Sequence, residues 1–245
     1  MRHREIVHPS GRARLERVPT GWSVDLHLEA GRAADDATTL LRAALAEVAD
    51  LGGGLARHWV RAGDPLTSTA SRSLGLTRER DLHQLRRALP VGEPWDLDLR
   101  PFVVGQDEGA WLTVNNRAFD WHPEQGGWTL DDLQGRLEQP WFDPTGFLLH
   151  EREGELVGFC WTKEHRDVEP ALGEIYAIAV DPAAGVHGLG RPLTLAGLDH
   201  LHRQGIDVGM LYVDGGNAGG LRLYESLGFA VHHTDTSLTI EVPSA

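Results

Sequence analysis

The sequence predicts an α/β fold, a mixed central sheet with flanking helices. Three observations carry that reading. Apolar strand-like runs alternate with amphipathic helical ones along the 245 residues. Glycine- and proline-rich joints separate them. Residues 22 to 87 can also be laid on residues 175 to 240 without a gap, so one order of elements occurs twice.

Taken in order, Trp22-Ser-Val-Asp-Leu-His27 reads as a strand and falls on Ile175-Tyr-Ala-Ile-Ala-Val180. The helical run from Thr39 to Val48 falls on Pro192 to Leu201, and Gly52, past its end, falls on Gly205. His58-Trp-Val-Arg61 then matches Leu211-Tyr-Val-Asp214, and Ser73-Leu-Gly-Leu76 matches Ser226-Leu-Gly-Phe229. The chain thus reads as a tandem duplication. Ahead of Trp22 lies what reads as a short polar stretch, so the first copy is expected to be incomplete. Pro90-Val-Gly-Glu-Pro94 supplies a turn-rich joint, giving expected domains of 1–92 and 93–245.

The second copy reads as strand 97–103, helices 107–119 and 129–138, and strands 146–151, 155–163 and 173–180. Helix 189–204, strand 208–214, helix 218–227 and strand 230–241 follow. Asp107 is placed to cap the first helix, Gly205 to end the long one, and Glu153-Gly154 to turn a hairpin.

Composition narrows the function. A formal charge of −13 gives no field that would gather nucleic acid. No apolar run reaches the roughly 18 residues of a membrane span, and the first residues lack a signal peptide's apolar stretch. A single cysteine, Cys160, forms no internal disulfide and suits the reducing cytoplasm. It reads as a small core residue. His232 and His233 are strand neighbours pointing to opposite faces, and His122 and His165 lack ligand partners at helical or loop spacing, so no metal site is expected.

Chemistry concentrates in the run from Glu174 to Arg191. A strand ends at Val180-Asp181-Pro182, and a glycine-rich loop follows: Gly185, Val186, His187, Gly188, Leu189, Gly190, Arg191. Glycines let backbone N–H groups approach a phosphate, and a helix N-terminus adds a favourable field. No Gly-Lys-Ser/Thr follows, so this is not a P-loop, and the G-x-G-x-x-G dinucleotide pattern is incomplete. In the first copy the matching stretch, Glu29-Ala-Gly-Arg-Ala-Ala-Asp-Asp36, carries aspartates that repel a pyrophosphate, so one anion site is expected, not two.

The strand, the loop, and Asn217 ahead of Leu223-Tyr224-Glu-Ser-Leu-Gly-Phe229 together resemble the GNAT acyl-CoA N-acetyltransferase pattern. Further runs resemble the mycothiol acetyltransferase family, which is built from two tandem GNAT domains. These are Asn115 to Trp128, Trp141-Phe-Asp-Pro144, Gly158-Phe-Cys-Trp-Thr-Lys163 and Gly173-Glu-Ile-Tyr176. The resemblance covers residues 95 to 241, and 22 to 90 more loosely. Gly185-Val186 departs from it, standing where the pattern has Gln or Arg followed by Gly.

The resemblance implies acetyl transfer from acetyl-CoA to a small-molecule amine, the cysteinyl amine of Cys-GlcN-Ins, by a monomer needing no metal. Ile178, Ala179 and Val180 would pair with the pantetheine arm, and residues 185 to 191 would hold the pyrophosphate. Asn217, Ala218, Gly219, Gly220, Leu221 and Arg222 would flank the CoA. Glu174 is implied as general base and Tyr224 as general acid, with Glu124, Lys163, Glu174 and Tyr212 binding substrate. Ser71 stands where the first copy would need its tyrosine. Two alternatives stay open: a GNAT enzyme acting on another small amine or a protein N-terminus, and a non-catalytic acyl-CoA-binding protein.

Overall fold

The computed structural model describes residues 3–122 and 125–245. They divide into two compact units, one of Met1–His83, Asp214–Asn217 and His233–Ala245, the other of Gln84–Val213 and Ala218–His232.

The first unit contains β1 (His3–His8), β2 (Gly11–Val18), β3 (Gly21–Leu28), α1 (Ala34–Asp50), β4 (Gly54–Val60) and α2 (Pro65–Ser73). It also takes the first part of β5 (Thr77–Ala88) and the later part of β11 (Ala230–Val242). Its strand order is β1-β2-β3-β4-β11-β5. The stretch before Trp22, read as polar, is in fact two antiparallel strands. In β2 one side alternates: Gly11, Ala13 and Leu15 are buried while Arg12, Arg14 and Glu16 are not. Two small residues on the inner face gave little apolar signal. Ala13 and Leu15 pack with Leu40, Leu41 and Val48 of α1 and with Leu238 of β11.

The second unit contains the rest of β5, then β6 (Arg100–Pro101), α3 (Glu108–Ala118), α4 (Leu130–Leu137), β7 (Phe147–Arg152), β8 (Glu155–His165) and β9 (Leu172–Val180). There follow α5 (Gly190–Arg203), β10 (Val208–Asp214) and α6 (Ala218–Ser226). Strand order is β5-β10-β9-β8-β7-β6. The strand expected over 97–103 shrinks to two residues, because Pro101 brings no N–H to a ladder. Leu97 and Leu99 pack against the core individually instead. Asp107 does precede α3 but does not cap it. Its carboxylate accepts from Arg100 at 2.7 and 2.8 Å and from the Val103 N–H at 2.7 Å, stronger charge-assisted partners. The Glu153-Gly154 hairpin forms, with φ of 56° and 84° at its two central residues.

The repeat holds at the level of elements. α2 and α6 have nine residues each, and Ser71 aligns with Tyr224 within them. Two cores flank the second unit's sheet. One joins α5 and α6 to the sheet through Leu193, Leu198, Leu201, Ile175 and Phe229. The other is aromatic, with Trp161 stacked on Phe147 at 4.3 Å and edge-on to Trp111 at 5.7 Å. Such pairs add about 0.5–1.5 kcal/mol each beyond burial. α5 approaches the sheet closely because residue 197 is glycine: a Cβ there would lie 2.5 Å from Cys160 Sγ and 2.8 Å from Ile175 Cδ1.

Candidate active site

Strand pairing shapes the site. Parallel pairing of β9 with β10 runs from Leu172↔Val208 to Ile175↔Leu211 and stops there. On its other side β9 pairs with β8 to its end, Ile178 with Cys160, Ala179 with Phe159 and Val180 with Gly158. The register shifts between Ile175 and Ala177, so Tyr176 is an extra residue, a bulge of the kind found beside active sites. Ile178, Ala179 and Val180 therefore keep one edge turned toward a widening gap, and all three are partly exposed. That edge can take an extended amide chain by main-chain hydrogen bonding.

Asp181 anchors the loop. Its buried carboxylate accepts from the Ala183 N–H and from Arg117 of α3, both at 2.9 Å. Gly185 has φ of 61° and Gly188 of 82°, the left-handed region. A Cβ at either would meet nothing within 4 Å. His187 and Gly188 are exposed, and Val186, Leu189 and Gly190 partly so. No side chain caps α5 among the described residues, so its first N–H groups face the loop. Arg191 commits its guanidinium to Glu93 at 2.7 Å and to Ser226 at 2.9 Å, leaving its backbone as the part that can face an anion. A pyrophosphate fits this cradle of open glycines and uncapped N–H groups.

Asn217 precedes α6 and donates its N–H to the Asp214 carbonyl. Ala218, Gly219 and Arg222 are exposed on the first turns of α6, while Gly220 and Leu221 are half-buried. Tyr224 is 8% exposed and lies with Leu227 and Phe229 in the core of α5 and α6. Burial foremost, then the charge a Cys160 thiolate would carry, push its phenol above the usual tyrosine value. The phenol therefore stays protonated near neutral pH, the form a proton donor needs. Cys160 is fully buried and its thiol is pushed up to about 12 by desolvation, which makes it inert as a nucleophile.

Glu174 and Lys163 face each other across β8 and β9. Lys163 Nζ sits over the Trp141 ring at 4.6 Å and the Tyr176 ring at 5.6 Å, cation–π contacts worth about 0.5–2 kcal/mol each. The Tyr176 phenol accepts from Arg136 at 2.9 Å. Burial raises Tyr176 most, Arg136 opposes it, and the charge of Glu174 adds a smaller upward push. Tyr212 lies two residues beyond Met210, the β10 partner of Glu174, so strand alternation sets it on the Glu174 side; its hydroxyl accepts from Gln84 at 2.7 Å. The structure thus brings Glu174, Lys163 and Tyr212 to one face of the sheet. Tyr224 stands in the separate core of α5 and α6. Glu124 lies outside the described residues.

Several neighbours of these residues escaped the sequence reading. Buried Glu174 accepts a 2.7 Å hydrogen bond from His165 or shares a proton with it. Asn115 holds the Gln125 carbonyl at 2.9 Å, and Asn116 grips both the N–H and the C=O of Trp128 at 2.9 Å. Those asparagines hold Gln125 and Trp128 against the helix. Their adjacency in the sequence was visible, but not which backbone groups they would reach. Among the described residues no three His, Cys, Asp or Glu side chains gather as a metal-holding group.

Residues 115–229 match the acetyltransferase (GNAT) family. The chain is 46% identical over 213 residues to the mycothiol acetyltransferase of Acidimicrobium ferrooxidans, covering 84% of this chain and 69% of that protein. The chain belongs to the mycothiol acetyltransferase family. Its likeness to the Thermobispora bispora member is 51% over 193 residues, covering 76% of this chain and 65% of the relative. For the Kocuria rhizophila member the values are 44%, 87% and 74%. The chain thus spans about two thirds of the length of these relatives. Among solved structures it resembles a GCN5-related N-acetyltransferase from Sphaerobacter thermophilus, with a TM-score of 0.77 at 22% identity over 96% of this chain and 78% of that one. A tandem GNAT protein from the clavulanic acid biosynthesis pathway gives 0.68 at 15% identity, over 96% and 80%. The fold is therefore a tandem GNAT fold.

Proposed function

We propose that the chain moves acetyl from acetyl-CoA to the cysteinyl amine of Cys-GlcN-Ins (desacetylmycothiol), giving mycothiol, as a cytoplasmic monomer. Residues 93–245 would form the catalytic copy and 1–92 a degenerate one. The observation that carries this reading is the parting of β9 from β10 directly ahead of an uncapped, glycine-lined helix N-terminus. An extended pantetheine arm and its pyrophosphate suit that pair of features. Family membership supports the acceptor.

Glu174 would take a proton from the substrate ammonium so that the free amine attacks the thioester carbonyl. As the C–S bond breaks, Tyr224 would give its proton to the thiolate. Lys163 and Tyr212, with Glu124, would hold the hydroxyl-rich acceptor.

The test incubates the protein with acetyl-CoA and Cys-GlcN-Ins and follows product mass. Glu174→Gln is expected to lower kcat by about 10²–10⁴-fold, and Tyr224→Phe by about 10²-fold, with acetyl-CoA affinity kept. Full turnover in both variants would remove these roles while leaving the acceptor in place. Tight acetyl-CoA binding with no turnover in the wild type would favour a binding protein.

A further inference from the structure

Resting on that acetyl-transfer reading, a proton count points to a residue with no role so far. An ammonium that becomes an amide N–H loses two protons. The thiolate takes one, so the other must reach solvent from a carboxylate that is itself buried. We infer that His165 is the positioning residue that carries this proton out.

His165 closes β8, opposite Leu172, and Glu174 follows two residues along β9 on the same face. Its Nε2 lies 2.7 Å from Glu174 Oε2, and its side chain is 24% exposed against 9% for Glu174. The pair therefore spans the step from a dry site to water. The charged and titratable groups facing Glu174 from its neighbours lie on the other flank. Lys163 stands opposite it, Tyr176 follows it, and Arg136 of α4 reaches the Tyr176 phenol. From β10 come Met210 and Tyr212. With two cations on that flank, the way out for a proton runs through His165.

In the step, the amine N–H breaks as an O–H forms on Glu174. That proton passes from Oε2 to an unprotonated Nε2 of His165, the imidazolium releases its Nδ1 proton to water, and tautomer exchange through water restores the Nδ1–H ring for the next turnover. Glu174 is returned as a carboxylate, and no other reactant is consumed.

The experiment follows acetyl transfer to Cys-GlcN-Ins against pH in the wild type, His165→Gln and His165→Ala, with and without added imidazole. Glutamine keeps a donor to Glu174 but cannot carry a proton. Its kcat is expected to fall about 10²-fold with KM for acetyl-CoA unchanged, and to rise with buffer concentration. Imidazole is expected to restore His165→Ala in part. Wild-type kcat and pH profile in His165→Gln, or equal losses in both variants with no imidazole or buffer response, would overturn the proposal. A readout independent of turnover is the 15N resonance of His165 Nε2, which should move when its hydrogen-bond partner is removed in Glu174→Ala. An unchanged resonance would overturn the coupling. A wild type without turnover would instead sink the acetyl-transfer reading, and the ring resonance would still decide whether the pair is hydrogen-bonded.

Discussion

The two strand–loop–helix segments of this chain share a scaffold and differ in what their helix N-termini do. In the first copy the chain itself occupies the helix N-terminus. Asp36 accepts the Ala33 N–H at 3.1 Å and the Ser10 hydroxyl at 2.9 Å, while Arg32 reaches back to the Pro9 carbonyl and to Glu29. The Ala33 bond, then Ser10, hold the Asp36 carboxyl below its usual range. In the second copy no side chain caps α5 among the described residues, and the loop before it is glycine-rich. The strands differ likewise: β2 and β3 pair without interruption, whereas β8 and β9 carry the bulge at Tyr176. Ser71, aligned with Tyr224, spends its hydroxyl on the Thr67 carbonyl at 2.8 Å. A helix N-terminus needs an acceptor for its N–H groups, and in the first copy Asp36 supplies one from the chain itself.

The largest effect is expected from giving the second copy the first copy's charge. Gly188→Asp puts a carboxylate into open space ahead of α5. Acetyl-CoA affinity should fall about 10- to 100-fold, or roughly 1.4–2.8 kcal/mol. Gly188→Asn brings the same backbone strain at φ 82° without the charge. Calorimetry on both variants separates the two causes; equal losses would show that strain, not charge, governs the site. The wild type should bind one acetyl-CoA per chain.

A second comparison concerns how closely each helix lies on its sheet. Gly197 of α5 aligns with Ala44 of α1, which is itself fully buried. Gly197→Ala would force a methyl to within 2.5 Å of Cys160 Sγ and should cost about 1–3 kcal/mol in denaturant unfolding. Ala44→Gly, its mirror, should cost about 0.5–1 kcal/mol, chiefly helix propensity. A harmless Gly197→Ala would mean that α5 can lift off the sheet without penalty.

What the sequence disclosed follows the range over which each feature is specified. Glu174, the loop from Gly185 to Arg191 and Tyr224 lie in runs whose spacing alone defines a strand, a joint and a helix. The His165–Glu174 contact depends on the register of β8 against β9 across the intervening loop, which no local spacing encodes. β1 and β2 were hidden for a different reason: β1 has no fully buried residue, and the inner face of β2 is built from Gly11, Ala13 and Leu15, two of them too small to show as an apolar stripe. Asp107 sat where a cap belongs, and Arg100 outbid the helix for its carboxylate.

The smallest effect tests a residue that only the first copy has. His58 is 3% exposed on β4, where the aligned residue of the second copy is Leu211. Its Nδ1 donates to the Val24 carbonyl at 2.8 Å, and Nε2 is buried with no partner among the described residues. Burial holds its titration below the ordinary 6.5, against upward pulls from the Val24 carbonyl, Asp25 and Asp64, while Arg61 adds a small downward push. The folded state therefore binds fewer protons than the unfolded chain once pH drops below 6.5. Stability from this site is full above that value and declines as pH falls toward the lowered folded value. Hydrogen exchange of β3 and β4 amides against pH should show faster opening in acid for the wild type, and the acid increment should shrink in His58→Leu. Leucine supplies the second copy's answer, an apolar group with no proton to gain, at the loss of one hydrogen bond to Val24. If His58→Leu kept the wild-type acid response, the sensitivity would have to come from carboxyls held below their usual range, such as Asp36 beside Ala33 and Glu79 beside Arg57.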